Sequence, residues 1–383
     1  MKHGLSPLVT VSLDALLGNV AVLRTFLPAT VSIIAVVKDS SYGCGSVRIA
    51  TTLQAEAGID HFAVASADEA FHLRKNGING TVIIFGKVEP HQLHEAAARR
   101  CTLTLSDLQD LQVWRQCDLP ISFHVEIDSG MRRMGIVSEA VPALLDTLQK
   151  NPRFVPDGIF THFASADVPG TGSVDRQRSI FLSAIARFRE RGFTPRVIHT
   201  SNSAAIMRFC DGEFTHVRPG IALYGCQPDP DQMFSAALQP VVTLEGYVVS
   251  IRTVNAGTAV SYGGHYVTDR QTCIATVAIG YAHGIPRYLS NRGSVLIGEI
   301  KYRIAGNVTM DYCMIDAGPS PHFSVGDRAI FIGRQGSKII TPDDIARTGR
   351  TIGYEVLCNI GPNVRRIYML HGKPVDETGP YIY

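Results

Sequence analysis

The chain has 383 residues, of which 45% are hydrophobic and 18% are charged. This composition is ordinary for a globular protein and allows two domains, or one large barrel with an appended domain. Its 36 Lys and Arg nearly balance its 34 Asp and Glu, which disfavours nucleic acid or an anionic membrane surface as a partner. No apolar stretch is long enough to predict a transmembrane helix, and the first residues lack the pattern of a signal peptide.

The cysteines are scattered along the chain, and no two have the C-x-x-C spacing. In a chain of this length, such cysteines predict free thiols in a reducing compartment. The same pattern predicts that the protein binds no zinc or other metal ion. We therefore expect a cytoplasmic protein without a metal site.

The first part of the chain alternates between short apolar segments and segments with helical periodicity, such as residues 46–58, 66–77, 90–100 and 177–192. Continuous apolar strands are typical of a parallel sheet covered on both faces. An open dinucleotide-binding sheet is not supported, because no G-x-G-x-x-G motif follows the first strand. The eight predicted strands, the number that closes a (β/α)8 barrel, are residues 31–37, 61–66, 81–86, 102–105, 121–127, 157–162, 196–200 and 215–218.

The composition changes near residue 229, where DPDQMFSAALQP predicts a linker. Beyond it, only TPDDIARTG (341–349) has a helical pattern, and turn signals separate segments rich in β-branched residues. The sequence thus predicts an α/β fold, a TIM-type barrel over residues 1–230 followed by a mostly β domain over residues 231–383. The predicted strand segments of the second domain are residues 241–254, 271–281, 293–306, 312–318 and 328–333.

Polar residues follow several of the predicted barrel strands. Catalytic groups of such barrels lie at the C-terminal ends of the strands, so these side chains should converge on one rim. They include Lys38, Tyr42, Glu126, Asp128, Arg132, Arg133, Thr161, His162, Asn202, Ser203 and Arg218.

Lys38 ends the apolar segment VSIIAVVK, where a charged ammonium group is costly to desolvate. Lysines at strand ends are more often solvated caps, but a lysine placed so can form an imine, and pyridoxal 5'-phosphate is its most common partner. Ser203 and the backbone around Gly220 and Ile221 fall in the loops where barrels bind phosphate. The guanidinium of Arg218 could face the pyridine nitrogen and leave it unprotonated.

These residues lie in nine ordered segments that together resemble the alanine racemase family. The resemblance implies an isomerase with pyridoxal phosphate, which interconverts L-alanine and D-alanine and supplies D-alanine to cell-wall synthesis. The segments are AVVKDSSYGCG, IDSGMRRMGI, GIFTHFASAD, HTSNSAA, VRPGIALYG, VSYGGHY, IGYAHGIPR, GNVTMDY and TIGYEVLC.

The resemblance implies two acid–base groups on opposite faces of the substrate α-carbon. Lys38 matches the family's group on the D face, and Tyr262 matches the tyrosine on the L face. His162 matches the histidine near the cofactor, and Arg218 matches the arginine at the pyridine nitrogen. These four residues are the catalytic residues that we predict.

The same resemblance implies binding residues and a homodimer with shared active sites. Tyr262 and Met310 match residues that enter the site from a second subunit. Arg133, Met310 and Tyr281 match substrate contacts. The cofactor-binding residues that we predict are Lys38, Tyr42, His162, Asn202, Ser203, Arg218, Gly220, Ile221 and Tyr354.

Some positions depart from the family pattern and leave the substrate range open. Glu126 stands where many members carry a carbamylated lysine, so that an ordinary ion pair could hold Arg133. His283 replaces an aspartate, and Asn307 stands where an arginine is common near the substrate entrance. A serine racemase or a racemase of broad specificity is therefore the alternative interpretation.

Two more distant functions fit the sequence less well. An amino-acid decarboxylase on the same barrel would carry a cysteine donor next to an aspartate, whereas Tyr312 separates Asp311 from Cys313. A barrel that only carries pyridoxal phosphate would need neither the second domain nor Tyr262.

Overall fold

The computed structural model describes residues 5–209, 212–231, 234 and 236–379. The helices of this part are α1 (Leu13–Arg24), α2 (Lys38–Tyr42), α3 (Ser46–Ala57), α4 (Ala67–Lys75), α5 (Leu93–Ala98), α6 (Leu108–Trp114), α7 (Val141–Gln149), α8 (Ser173–Glu190), α9 (Ser203–Phe209), α10 (Pro342–Gly349) and α11 (Gly353–Cys358). Short 3-10 turns lie at Pro90–Gln92, Ser138–Ala140, Ile221–Tyr224, Tyr262–Gly264, Tyr281–His283 and Arg287–Leu289.

The strands of the same part belong to a parallel barrel, a large mostly antiparallel sheet and a small hairpin. They are β1 (Leu8–Ser12), β2 (Ser32–Val36), β3 (His61–Val64), β4 (Thr81–Ile84), β5 (Thr102–Leu105), β6 (Ser122–Asp128), β7 (Ile136–Val137), β8 (Gly158–Phe160), β9 (Val197–His199), β10 (His216–Val217), β11 (Val242–Val254), β12 (Ala259–Val260), β13 (Tyr266–Val267), β14 (Thr272–Val277), β15 (Ser294–Ile297), β16 (Ile300–Ile304), β17 (Cys313–Asp316), β18 (Arg328–Gln335), β19 (Lys338–Ile340), β20 (Arg365–Leu370) and β21 (Lys373–Thr378).

The eight predicted barrel strands are all observed, and they close into a parallel barrel. The order is β2–β3–β4–β5–β6–β8–β9–β10, and β10 pairs back with β2. Their residues are buried almost throughout, as in Phe62, Ala63 and Val64, because helices cover the outside and side chains fill the interior. The prediction of a TIM-type barrel is confirmed, and closure brings the strand ends to one rim.

The predicted helices of the barrel correspond to observed ones, with small differences at the ends. Residues 46–58 correspond to α3, 66–77 to α4, and 177–192 to most of α8 and the two residues after it. Residues 90–100 form a 3-10 turn followed by α5. Helix α4 starts where Ser66 and Glu69 satisfy each other's backbone N–H groups in a capping box.

The second domain is mostly β, as predicted, and centres on a ten-stranded sheet of order β19–β18–β15–β16–β17–β14–β11–β1–β20–β21. Strand β18 also pairs with β11, so part of this sheet closes on itself. Two details of the prediction are wrong. Residues 293–306 form a hairpin rather than one strand, since Gly298 and Glu299 turn the chain with left-handed φ values. A second helix, α11, lies beside α10.

Strand β1 lies far along the chain from the strands that it joins. It pairs antiparallel with β11 and parallel with β20, and thus lies between two strands of the second sheet. The domain boundary at residue 230 stays a prediction, and part of the predicted linker (residues 232, 233 and 235) lies outside the described residues. Among the described helices, none combines the length and the apolar character needed to cross a membrane.

The position of β1 predicts a specific loss of stability. Val9 is fully buried between the two neighbouring strands, so Val9→Ala should lower the free energy of unfolding by about 2 kcal/mol through lost burial and a residual cavity. Urea unfolding measures this change. Val155→Ala is the matched control, because Val155 is 60% exposed; equal effects of the two substitutions would contradict the placement of β1.

Candidate active site

The C-terminal ends of the barrel strands surround a cavity of about 410 Å³, a size typical of small-molecule sites. The predicted cofactor-binding residues all line it, although they come from distant parts of the sequence. The lining residues are Val36, Lys38, Asp39, Tyr42, Ala65, Phe85, Gly86, Glu126, Arg133, Met134, Phe160, His162, Asn202, Ser203, Arg218, Gly220, Ile221, Tyr354 and Cys358.

Lys38 lies two residues after the end of β2 and begins a left-handed turn. Its ammonium group lies 3.5 Å from Asp39 Oδ2, and its side chain is 39% exposed towards the cavity. The next four residues, Asp39–Tyr42, all have φ values of 53–54°. Each such L-residue costs about 1–2 kcal/mol relative to the right-handed form. The turn therefore persists only because surrounding groups hold it.

Two tyrosine side chains and the backbone of Gly220, which lies close to one of them, form one wall of the cavity. The rings of Tyr42 and Tyr354 lie 5.9 Å apart between centroids. A Cβ atom at Gly220 would lie 2.5 Å from the Tyr42 hydroxyl oxygen, so only glycine fits there. Burial raises the pKa of both tyrosines well above 10, and both hydroxyls are therefore neutral hydrogen-bond donors at physiological pH.

The loops after β9 and β10 are joined by Ser203. Its Oγ accepts hydrogen bonds from Gly220 N at 3.0 Å and from Ala222 N at 3.3 Å. Asn202 Oδ1 accepts from Ala205 N at 3.1 Å, which fixes the start of α9. The Ser203 oxygen accepts in both of its bonds, so the Ser203 O–H remains as a donor, the kind of group that suits a phosphate.

Arg218 also lines the cavity and is only 3% exposed. Its Nη2 donates to Thr161 O at 2.9 Å and to Thr200 O at 3.0 Å. The guanidinium also contacts His199 Nδ1 at 2.7 Å and His162 Nδ1 at 3.2 Å. Burial lowers the pKa of Arg218 to about 9, so it remains a cation at neutral pH.

A hydrogen bond from Arg218 determines which nitrogen of the adjacent His199 carries the proton, and burial keeps the nearby histidines neutral. Because a guanidinium has no acceptor, His199 Nδ1 accepts from Arg218 Nη1, and the proton of His199 resides on Nε2. His199 Nε2 then donates to His124 Nδ1, 2.9 Å away. Burial, assisted by nearby positive charge, lowers the pKa of His162 and of His124 to about 3. Both rings are neutral at physiological pH.

The loop after β6 carries Arg133 into the cavity. Asp128 Oδ1 accepts from Gly130 N at 2.9 Å and from Arg132 N at 3.0 Å, which folds the loop back over the strand end. Glu126 is buried beside it. Burial raises the pKa of Glu126, whereas the charges of Arg133 and Arg218 oppose that rise.

Three predicted residues do not line this cavity. Tyr262, Met310 and Tyr281 lie on the surface of the second domain and are 77%, 54% and 44% exposed. The structure therefore does not bring them to the cavity of their own chain.

Hydrogen bonds tie Tyr262 and Tyr281 separately to the segment 307–310, which carries Met310. Asn307 Nδ2 donates to Tyr262 O at 2.7 Å, and Ser261 Oγ donates to Asn307 O at 2.8 Å. Tyr281 N donates to Thr309 O at 3.0 Å, next to Met310. We call the surface formed by Tyr262, Met310 and Tyr281 the exposed tyrosine surface.

The sequence analysis did not single out the apolar and histidine partners of Arg218. Phe160 and Phe85 place their rings 5.3 and 5.9 Å from its guanidinium carbon. Both residues end or follow a barrel strand, so strand-end position was the available signal. His199 lies below the arginine and carried no signal beyond its place in a strand.

A strand-end lysine, a buried arginine and a set of phosphate donors on one barrel rim define the class of pyridoxal-phosphate enzymes built on a barrel. The profile "Alanine racemase, N-terminal domain" matches residues 11–228, and the profile "Alanine racemase, C-terminal domain" matches residues 241–368. The chain belongs to the alanine racemase family.

Individual relatives show the same similarity along almost all of the chain. An alanine racemase of Geobacillus kaustophilus is 40% identical over 94% of this chain and 94% of its own length. An alanine racemase of Geobacillus stearothermophilus is 39% identical over 96% of this chain and 94% of its own length. The crystal structure of alanine racemase from Bacillus anthracis with bound L-Ala-P superposes with a TM-score of 0.90 at 35% identity, over 98% and 97% of the two chains.

Alanine racemases depend on pyridoxal phosphate, and the cavity fits this cofactor. The space kept free by Gly220 and the neutral donors around Ser203 suit a phosphate group. Lys38 supplies an amine and Arg218 supplies a cation to the same cavity. The class and the family that the sequence predicted are thus both confirmed.

The buried neutral histidines predict how stability depends on pH. The unfolded chain takes up a proton on His124 near pH 6.5, whereas the folded chain does so only near pH 3. The free energy of unfolding should therefore fall as the pH decreases from 6.5 towards 3, by about 1.4 kcal/mol per pH unit for each such histidine.

Urea unfolding between pH 7 and pH 4 measures this slope in the wild type and in His124→Gln. The slope of the variant should be smaller by about the contribution of one histidine. His91→Gln is the control, since the His91 side chain is 72% exposed. An unchanged slope in His124→Gln would show that His124 is not held neutral.

Proposed function

We propose that this chain interconverts L-alanine and D-alanine with pyridoxal phosphate, by a two-base mechanism in which Lys38 and Tyr262 exchange protons with opposite faces of the substrate. The observation that carries the proposal is the cavity in which Lys38 and Arg218 face a set of neutral phosphate donors. Membership of the alanine racemase family supports alanine as the substrate.

Each group of the cofactor has a candidate partner in the cavity. Tyr42, Tyr354, Ser203 and the backbone at Gly220 and Ile221 would hold the phosphate. Lys38 would hold the carbonyl carbon, and Arg218 would lie at the ring nitrogen. Bound pyridoxal phosphate supplies an electron sink that makes the α-proton of an amino acid acidic.

The protein's own residues then control where protons go. The Lys38 amine accepts or returns a proton on one face of the α-carbon, and the Tyr262 phenol does so on the other. Neutral His162 has its Nδ1 3.2 Å from Arg218 Nη2 and adds no second positive charge to the cavity. Arg218 stays a cation and keeps a neighbouring ring nitrogen unprotonated.

Arg133 is the candidate for binding the substrate carboxylate. It enters the cavity from the loop that Asp128 folds back. Glu126 is buried close enough to Arg133 for the guanidinium to oppose the rise that burial causes in the pKa of Glu126. A cationic side chain at this end orients the substrate before any proton moves.

We also propose a homodimer in which the exposed tyrosine surface of one subunit completes the cavity of the other. Tyr262 cannot act on the cavity of its own chain from a position 77% exposed on the second domain. Large exposed aromatic groups that lie together are typical of interaction surfaces. A two-fold axis would give each dimer two complete sites.

Mixing two inactive variants tests this arrangement. Lys38→Ala and Tyr262→Phe should each lose nearly all racemase activity. In a mixed dimer, the Tyr262→Phe subunit retains Lys38, and its partner supplies Tyr262 to that site. One of the two sites is therefore complete. Random pairing should therefore restore about a quarter of the wild-type activity, measured as D-alanine formed after co-refolding.

The control mixes Lys38→Ala with Arg218→Ala. Both residues line the cavity of one chain, so no hybrid dimer contains a complete site and no activity should return. Activity that fails to return in the first mixture would mean that Tyr262 does not act across subunits.

The substrate range is tested by incubating the holoenzyme separately with L-alanine, L-serine and L-lysine in D₂O. We expect α-deuterium uptake and loss of optical rotation mainly with alanine, at a rate at least tenfold above that for serine. Comparable rates with serine would favour the alternative of broad specificity, for which Asn307 at the surface is the candidate cause. No exchange on any of them would contradict the two-base mechanism.

We further propose that the protein works in the cytoplasm. The seven described cysteines are all free thiols, and all but Cys358 are buried. Unpaired cysteines of this kind are typical of a reducing compartment.

A further inference from the structure

The left-handed turn after Lys38 is held at both of its ends by charged side chains from other elements. Of its four left-handed residues, only Asp39 is of a type that adopts this conformation with any frequency, so the turn as a whole does not form by its own preference. Its geometry decides where the Lys38 side chain points, because Lys38 is the residue directly before it. The groups that hold the turn therefore bear on the proposed chemistry.

Glu69 holds the first end of the turn. Its Oε1 accepts the backbone N–H of Asp39 at 2.5 Å, and its Oε2 accepts that of Ala65 at 2.7 Å. Asp39 follows the lysine, and Ala65 follows β3, the strand that neighbours β2 in the barrel. One carboxylate thus ties together the ends of two adjacent strands at the cavity.

Arg366 holds the other end from the second domain. Its Nε donates to Gly43 O at 2.8 Å, and its remaining donors go to the carbonyl oxygens of Val364, Ile360 and Gly361. Gly43 directly follows the last left-handed residue. Because Arg366 anchors this end, the position of the first end depends on the hydrogen bond from Asp39 N to the Glu69 carboxylate.

We propose that Glu69 is a positioning residue for Lys38: its carboxylate holds Asp39 and Ala65 together and so directs the lysine amine into the cavity. This inference rests on the proposed function of Lys38. Glu69 does not line the cavity and acts through the backbone of the turn. Its role in capping α4 is separate, and an experiment has to distinguish the two.

The chain offers a matched control in Asp110. Its Oδ2 accepts from Ser106 N at 3.1 Å and from Asp107 N at 2.9 Å, which closes the capping box of α6 in the same manner. Asp110 lies outside the cavity lining and is not bonded to the turn after Lys38. Asp110→Asn therefore reproduces the capping loss of Glu69→Gln without affecting the turn after Lys38, and it also removes the ion pair of Asp110 with Lys87, 3.3 Å away.

Glu69→Gln keeps the size of the side chain but replaces one acceptor by an NH₂ donor. Either Asp39 N or Ala65 N then faces a donor, and the tie between the strand ends breaks. We expect the apoprotein to combine with added pyridoxal phosphate about tenfold more slowly, and kcat to fall by about tenfold or more with KM changed less than about threefold.

The rate of combination is followed by cofactor absorbance, and borohydride reduction with peptide mass spectrometry identifies the lysine that is modified. Thermal unfolding of the two variants gives the capping loss. Asp110→Asn should lower the melting temperature about as much as Glu69→Gln while leaving cofactor attachment and kcat at wild-type values. Glu69→Asp, which keeps the charge but is one methylene too short to span both N–H groups, should behave like Glu69→Gln.

If Glu69→Gln and Asp110→Asn attach the cofactor equally fast, Glu69 only caps its helix and the inference is overturned, with the proposed function intact. If the wild type attaches the cofactor at a lysine other than Lys38, the proposed function itself fails. The two failures are distinguished by the modified peptide.

Discussion

The buried guanidinium of Arg218 is the interaction on which the barrel interior depends. It is 3% exposed, and its hydrogen bonds go to carbonyl oxygens and histidine nitrogens, with two aromatic rings beside it. A buried cation is stable only when its donors are satisfied. The acceptors lie at the ends of β8 and β9. Closure of the barrel therefore brings them together around the buried cation that charges the cavity.

Much of this architecture could be predicted from the sequence, because buried parallel strands leave continuous apolar segments. Strand β1 and helix α11 could not. LVTVS is short, and its partners lie in strands formed by residues far along the chain. Helix α11 spans six residues, too few for a periodic pattern, and its position depends on packing against α10.

The candidate site likewise contains residues that could be predicted from the sequence and residues that could not. Lys38, Ser203 and Arg218 follow barrel strands, so their convergence could be predicted from position alone. Tyr262 was found only through the resemblance, since no spacing separates it from the other tyrosines. The left-handed turn was not predictable, because among the residues DSSY only the aspartate has any tendency towards that conformation. Tertiary contacts from Glu69 and Arg366 impose it.

The position of β1 has a consequence for how the protein is made. A growing chain can complete the parallel barrel once β10 has left the ribosome, since all of its strands are then present. Strand β1 must wait for β20 before both of its edges are paired. The same late segment brings Tyr354 to the cavity and Arg366 to Gly43. A nascent chain therefore acquires its barrel first and a complete cofactor site only when the second sheet closes around its first strand.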